Sequence, residues 1–374
     1  MHVVQVNYAF DKGLTDPDAL LDRYFTLTGW SSALADASVG TAEVVQRFHR
    51  DAQIQRNGID YRFRAGRIAE AVAACRPDVA HVNGLTFPVQ TWMLRRALGP
   101  RTAIVVQNHA DGGAVGRAPL LRLLGRAARR HIDAFLFAAA EHVEPWRRAG
   151  FIAPGQATYQ VMEASTALQP APRAAARDAS GLRGSPAVLW VGRLNANKDP
   201  LTVLGGFART ADALPDATLT MIYSEADLLS AVRERLQRSP ELSARVQLLG
   251  EVPHDRMASF YSAADLFIVG SHHEGSGYSL IEACACGAVP VVTNIPSFRL
   301  LTGNGSVGAL WEPGDADSCA RALHDVAQRD LTAERTRLAE HFARELSWSA
   351  VGRRAIEIYD AVVSSKCSVL TSQL

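Results

Sequence analysis

Leu266-Phe267-Ile268-Val269-Gly270-Ser271-His272-His273-Glu274-Gly275-Ser276-Gly277-Tyr278-Ser279-Leu280-Ile281-Glu282 is the stretch that decides the fold. An apolar run enters a glycine turn, and a helical pattern follows through Ala283-Cys284-Ala285-Cys286-Gly287, small residues suited to close packing. A second apolar run, Val289-Pro290-Val291-Val292, closes the unit. Strand, glycine turn, helix, strand is the pattern of an α/β unit whose ligand sits at the helix N-terminus. Free backbone N–H groups there favour an anion, most often a phosphate. Two carboxylates, Glu274 and Glu282, stand eight positions apart across the turn.

The same alternation extends outward in both directions. Towards the C-terminal half it runs through Ala187–Gly192, Thr218–Tyr223, Val246–Leu249, Leu266–Val269 and Val289–Val292, with helical patterns over Pro200–Ala211, Asp227–Arg238, Asp255–Ala263 and Tyr278–Cys286. In the first half, strand patterns occur at Val3–Val6, Glu43–Gln46, Tyr61–Phe63, Val79–Val82, Ala103–Gln107, Ala134–Ala138 and Ala157–Val161. Helical stretches such as Pro17–Ala37, Arg67–Cys75, Pro88–Leu98 and Pro119–Arg130 fall between them. Repeated β-α alternation predicts two parallel, doubly wound α/β domains, at 1–168 and 187–349. Between them, 169–186 is rich in alanine and proline, lacks strand periodicity and reads as a linker. The helical pattern of about 350–374 ends the chain. Two domains facing one another predict a cleft that excludes water on closure.

A length of 374 residues suits two cores rather than one. The hydrophobic fraction of 48% and charged fraction of 21% are those of a globular protein, and a net charge of +1 gives no argument for nucleic acid. His2-Val3-Val4-Gln5-Val6 reads directly as a first strand, without the basic start and apolar stretch of a signal segment, and nothing approaches the ~20 apolar residues of a membrane span. Cys75, Cys284, Cys286, Cys319 and Cys367 are odd in number and lack zinc-like spacing, so reduced thiols and a cytoplasmic location are expected.

Val191-Gly192-Arg193-Leu194-Asn195-Ala196-Asn197-Lys198-Asp199-Pro200 is the second chemical segment. Gly192 permits a tight exit from the strand, and Asp199 before Pro200 is a good N-cap. Arg193 and Lys198 then stand on one loop at a C-terminal strand end, able to converge on a diphosphate and stabilise charge on a leaving nucleotide. With a helix starting near Gly277, Glu282 lies roughly 7.5 Å along its axis. That reach suits a grip on ribose hydroxyls while the diphosphate rests on the N–H groups of Gly277, Tyr278 and Ser279. Glu274, before the turn, would face a transferred sugar. Gly275 and Gly277 leave room for a sugar phosphate to approach the backbone.

Together these motifs resemble the retaining glycosyltransferases of the two-Rossmann-domain (GT-B) kind, specifically glycosyltransferase family 4, through its carboxylate-seven-residues-carboxylate signature. The resemblance covers most of the second domain with specific motifs and the first only in outline. It implies transfer of a sugar from a nucleoside diphosphate sugar, UDP favoured by family habit, to an acceptor hydroxyl with retention at the anomeric carbon. It assigns Glu274, Arg193 and Lys198 to catalysis and, with Glu282 and the 275–279 turn, to the donor. Ser276 stands where the family often carries a bulky apolar residue. Leu249-Gly250-Glu251-Val252 resembles the loop that contacts the nucleobase, whereas Met221-Ile222-Tyr223-Ser224-Glu225 replaces a glycine-rich turn. Glu163-Ala164-Ser165-Thr166 occupies the place of an Asn-Gly pair. The last helix of the family crosses back to the N-terminal domain.

In the first domain, the family's glycine-rich donor loop corresponds to Tyr8–Thr15, where Gly13 is the candidate. Val105-Val106-Gln107-Asn108-His109-Ala110-Asp111 ends a strand with His109 and Asp111, and Asn83 follows a neighbouring strand. These three are the acceptor-side candidates, and the resemblance makes His109 a catalytic one. The acceptor itself can be a saccharide, a lipid-linked intermediate or a natural product. Arg117–His131 carries leucines and arginines but no acid, which suits either a helix with leucines on the core or a peripheral contact with anionic lipid. Asp315-Ala316-Asp317 imitates a metal-binding Asp-x-Asp, but it follows Pro313-Gly314 and opens a helix, so capping is expected. In this family basic residues and the helix dipole replace the metal, so no cofactor or metal is expected. A sugar phosphorylase, a nucleotide-sugar epimerase and a non-catalytic sugar-nucleotide-binding partner are the alternatives.

Overall fold

The computed structural model describes residues 1–37, 41–109 and 119–371, with no side chain described beyond 368. The chain divides into two compact units, residues 1–165 with 348–374, and residues 166–347.

Eight strands form the sheet of the first unit: β1 (His2–Asn7), β2 (Thr41–Arg47), β3 (Ala52–Arg56), β4 (Ile59–Arg64), β5 (Val79–Asn83), β6 (Ala103–Gln107), β7 (Ala134–Phe137) and β8 (Ala157–Gln160), in the order β3-β4-β2-β1-β5-β6-β7-β8. All neighbours are parallel except β3 and β4. Central strands such as Val79–Val82 and Ala103–Val106 are buried because helices cover both faces of a parallel sheet. The β3–β4 hairpin departs from the expected all-parallel alternation. Asn57 and Gly58, at φ 52° and 75°, make the tight turn that an antiparallel pair requires. The helix expected over Pro17–Ala37 breaks at Tyr24 into Pro17–Arg23 and Phe25–Asp36.

The final helix, Trp348–Thr371, packs in this unit. A Cβ on Gly352 would lie 2.3 Å from the Ala33 carbonyl oxygen, so only glycine lets the two backbones meet. Further along it, Tyr359 meets His81 and Lys366 pairs with Asp133 at 2.6 Å.

The second unit holds six parallel strands, β9 (Ala187–Gly192), β10 (Thr218–Tyr223), β11 (Val246–Gly250), β12 (Leu266–Val269), β13 (Val289–Thr293) and β14 (Ala309–Trp311), in the order β11-β10-β9-β12-β13-β14. The order reverses between β9 and β12, the place where such sheets open a crevice at the C-terminal strand ends.

The expected linker 169–186 is part of this unit. Within it, helix Arg173–Ser180 packs on helix His254–Ala263, and Asp265 draws it down. That carboxylate meets Arg173, Arg177 (2.8 Å) and Arg335 (2.7 Å), and accepts the Ala187 N–H at 2.8 Å. One buried acid answered by three guanidinium groups fixes the segment that composition alone presented as loose.

Candidate active site

Loops leaving β9, β10, β11 and β12 surround a cavity of about 380 Å3 at the reversal of the second sheet. The β9 loop and the glycine turn are stitched together. Asn197 donates to the His273 carbonyl at 2.9 Å, and His272 N–H donates to the Asn197 carbonyl at 2.8 Å. Asp199 has a left-handed backbone, φ 42°, yet its carboxylate caps the helix Pro200–Ala208 through the Thr202 N–H. His272 Nε2 lies 3.1 Å from the same carboxylate.

Held this way, Lys198 is buried and its ammonium meets the Glu274 carboxylate, itself largely buried. The Glu274 carbonyl accepts from Ser297 Oγ at 2.5 Å. Arg193 is different: half exposed, 3.7 Å from an equally exposed Glu225. Gly277, φ 67°, precedes helix Tyr278–Ala285 and brings no side-chain cap. A Cβ there would lie 2.9 Å from Leu301 and 3.0 Å from Phe298. The turn therefore needs glycine for both conformation and space, and glycine at the N-cap supplies the helix no side-chain cap.

Glu282, one turn into the helix, is anchored on both oxygens. Tyr261 donates its hydroxyl to Oε2 at 2.9 Å, and His254 Nε2 lies 2.7 Å from Oε1. Burial, reinforced by the Glu282 charge, holds the Tyr261 phenol far above its ordinary range, so it stays a donor.

Arg193, Lys198, Glu274, Glu282, Tyr278, Ser279, Glu251 and Val252 all line this one cavity. Gly250, Gly275, Ser276 and Gly277 do not; they shape the chain around it, Gly250 by its left-handed φ of 73° at the end of β11. Tyr223, Ser224, His254, Met257 and Tyr261 also line it and were missed from sequence. His254 and Tyr261 are seven positions apart on helix His254–Ala263, two turns along one face, which is the signal that could have paired them.

The remaining candidates belong to the first unit. His109 presents Nδ1 to Glu163 at 2.9 Å and Nε2 to Asn83 Oδ1 at 2.8 Å. Asn83 also donates to Asn7, at the end of β1. Beneath them His81 is fully buried, 2.5 Å from the Tyr359 hydroxyl and 2.9 Å from Gln107 Oε1. Burial, and then the neighbouring His109, push the His81 pKa down to about 3, so it is a neutral structural bridge. The polar ends of β1, β5 and β6 thus form one network where this sheet reverses direction. His81, Glu163 and Tyr359 were not singled out from sequence as its members. Gly13 sits in an exposed turn whose N–H is capped by Asp11 at 2.8 Å, and its φ is not left-handed, so nothing local demands glycine there. Asp111, Arg117 and Ala118 lie outside the described residues.

Asp315 accepts from the N–H groups of Asp317 (2.9 Å) and Ser318 (3.0 Å), the capping arrangement expected of that Asp-x-Asp. Among the described residues, no group of three or more His, Cys, Asp or Glu is placed to hold a metal ion, and no helix is long and apolar enough to cross a membrane.

Residues 173–342 match the family described as glycosyl transferases group 1. That match covers just under half of the chain, the second unit almost entirely. Phosphatidyl-myo-inositol mannosyltransferase of Mycobacterium tuberculosis is 29% identical over 195 residues, 50% of this chain and 50% of that protein. Mannosylfructose-phosphate synthase of Agrobacterium fabrum is 28% identical over 182 residues, 46% of this chain and 40% of that one. The chain thus spans about half the length of the curated relatives it matches. Among solved structures, sucrose-phosphate synthase from Thermosynechococcus elongatus aligns over 98% of this chain and 100% of its own at a TM-score of 0.68 and 18% identity. Anabaena HepE in complex with UDP aligns over 96% of this chain and 100% of its own at 0.69 and 15% identity. These likenesses give the fold, two parallel-sheet α/β domains of the GT-B kind.

Proposed function

We propose that the protein transfers a sugar from a nucleoside diphosphate sugar, UDP-linked by preference, to a saccharide-type acceptor hydroxyl, with retention and without a metal. One observation carries the reading: Arg193, Lys198, Glu274 and Glu282 line a single cavity at the reversal of the second sheet. The chemistry of those four groups is complementary to a diphospho-sugar. Lys198 spends one of its three N–H donors on Glu274 and has two for phosphate oxygens. Arg193 can leave Glu225 for the same diphosphate at little cost, since an exposed ion pair contributes ~0–1 kcal/mol. Glu282 reads the ribose hydroxyls, and Glu274 faces the sugar. The preference for UDP rests on HepE, crystallised with UDP and with UDP-glucose.

In this reading the anomeric carbon–phosphate oxygen bond breaks as the acceptor oxygen approaches the same face. The acceptor proton passes to the departing phosphate. Growing negative charge on that phosphate is met by Lys198 and the uncapped helix N-terminus, already in place before reaction, and by Arg193, which swings over from Glu225.

A calorimetric panel of UDP, GDP and ADP and their glucose and mannose conjugates tests the donor. Proton NMR of the early product then reads the anomeric configuration, with and without EDTA. Binding of a uridine nucleotide, an α-linked product from an α-linked donor and turnover indifferent to EDTA are expected. An inverted product, or activity lost to EDTA and restored by divalent ions, refutes the respective part. Phosphate-dependent sugar release without acceptor would point to a phosphorylase instead.

A further inference from the structure

Helices Pro88–Leu98 and Pro119–Ala128 pack against each other in the first unit, and both turn apolar side chains to solvent. On the first, Val89, Trp92 and Met93 are exposed at helical spacing, opposite the buried stripe Pro88, Thr91 and Leu94. On the second, Leu120 is 68% and Leu123 65% exposed, so these leucines do not join the core. Nine large hydrophobic residues are exposed among the described residues, and five of them fall on these two helices. Scattered exposed leucines need no explanation, but a cluster of this kind marks a surface with a partner.

Charge narrows the partner. Neither helix carries an acid; Arg96 and Arg126 are exposed beside the apolar residues, and exposed Arg130 lies two residues beyond the second helix. The Arg96 guanidinium lies 5.2 Å over the Trp92 ring. Arg95, by contrast, is spent inward on the Gly99 and Thr102 carbonyls and on Asp133. A second copy of the chain is a poor occupant, since a two-fold contact through this face would set arginines against arginines. Tryptophan and leucines beside acid-free arginines instead match the boundary of a bilayer, where rings and apolar chains enter the acyl edge and cations meet anionic headgroups. We propose that this two-helix face docks on an anionic lipid surface, independently of glycosyl transfer.

The test is flotation of the full chain, without sugar donor, on vesicles of phosphatidylcholine alone or with about one third phosphatidylglycerol. The wild type should partition at least about tenfold better onto the anionic vesicles, and less as salt rises. Leu120→Ser with Leu123→Ser should reduce that partition on the order of tenfold or more. Arg96→Gln, a single surface change, should reduce it about fivefold. Thermal melts and UDP calorimetry report whether each variant is folded. Equal flotation of wild type and both variants overturns the proposal, as does absence of binding to anionic vesicles. Sedimentation showing a concentration-dependent dimer that the leucine variant loses, with no vesicle binding, overturns it in favour of self-association.

Discussion

Glu282→Gln isolates the charge of the second carboxylate from its shape. The amide keeps the volume and an oxygen for the Tyr261 hydroxyl, which lies 2.9 Å from Oε2, so a buried donor is not stranded as it would be by alanine. A hydrogen bond to a charged acceptor contributes ~1.5–3 kcal/mol and one to a neutral acceptor ~0.5–1.5. With two ribose hydroxyls on the carboxylate, the variant loses roughly 2–3 kcal/mol, or about 30–150-fold in the Kd for UDP. His254, 2.7 Å from Oε1 and exposed, competes for the same oxygen in the wild type, which favours the lower end of that range. Calorimetry with UDP and with 2′,3′-dideoxy-UDP, on wild type and variant, separates ribose reading from a general disturbance. The penalty should shrink to less than about threefold for the dideoxy ligand, because the hydroxyls it depends on are gone. An equal loss for both ligands, in a variant that melts like the wild type, would refute the ribose assignment.

Glu274→Gln should lower kcat on the order of 100-fold while the calorimetric Kd for UDP stays within about threefold; parallel losses would place Glu274 on the nucleotide instead. Lys198→Ala leaves the largely buried Glu274 without its ammonium and should cost about 3 kcal/mol, lowering Tm by roughly 6–12 °C. Adding Glu274→Gln to that variant should restore most of the Tm, and failure to do so would mean the pair is not what Lys198 stabilises. Gly277→Ala forces a left-handed φ of 67° on alanine and pushes its Cβ against Leu301 and Phe298, so a loss of at least about 1–2 kcal/mol in urea unfolding is expected; an unchanged midpoint would refute it. His81 has a folded pKa of about 3 against an ordinary 6.5, so between these values only the unfolded chain takes its proton. The contribution of its neutral form is therefore complete above about pH 6.5 and is lost as pH falls towards 3. Urea titrations of His81→Gln between pH 7 and 4 should show a shallower loss of stability than the wild type, by up to about 3–4 kcal/mol; parallel curves would refute the assignment.

Legibility in the sequence followed locality. Arg193, Lys198 and Glu274 stand within six residues of the ends of β9 and β12, and Glu282 one turn into the helix that follows, so strand periodicity and two glycine turns suffice to bring them to one crevice. His254 and Tyr261 approach Glu282 from a helix after a different strand, and no local pattern names that meeting. The first-unit network is harder still: His81 and Tyr359 are 278 positions apart. The segment 169–186 looked loose because its anchors are distant, with Arg173 and its acid Asp265 separated by 92 positions. The β3 strand offers only Ile54 between Gln53 and Gln55, so the Asn57-Gly58 turn signal lacked an apolar partner to its left. Leu120 and Leu123 follow core periodicity in sequence, and only their exposure reveals a different use.

The two bases of the cavity differ in a way that bears on how charge is handled there. Lys198 is buried, and removing it from Glu274 would strand two desolvated charges, so it holds its position whether or not a ligand is present. Its loop is fixed by Asn197 and His272, and by Asp199, whose left-handed backbone costs about 1–2 kcal/mol relative to a relaxed residue. Strain beside a functional side chain persists when neighbours over-determine it, and the cap to Thr202 with the His272 contact supplies that constraint. Arg193 has no such anchor: its partner is 3.7 Å away and both groups are about half exposed. A rigid ammonium already desolvated by its carboxylate, beside a guanidinium free to move at little cost, divides the work on a diphosphate. In the proposed transfer, the lysine would set where the phosphate sits, and the arginine would follow the charge as it shifts onto the leaving oxygen.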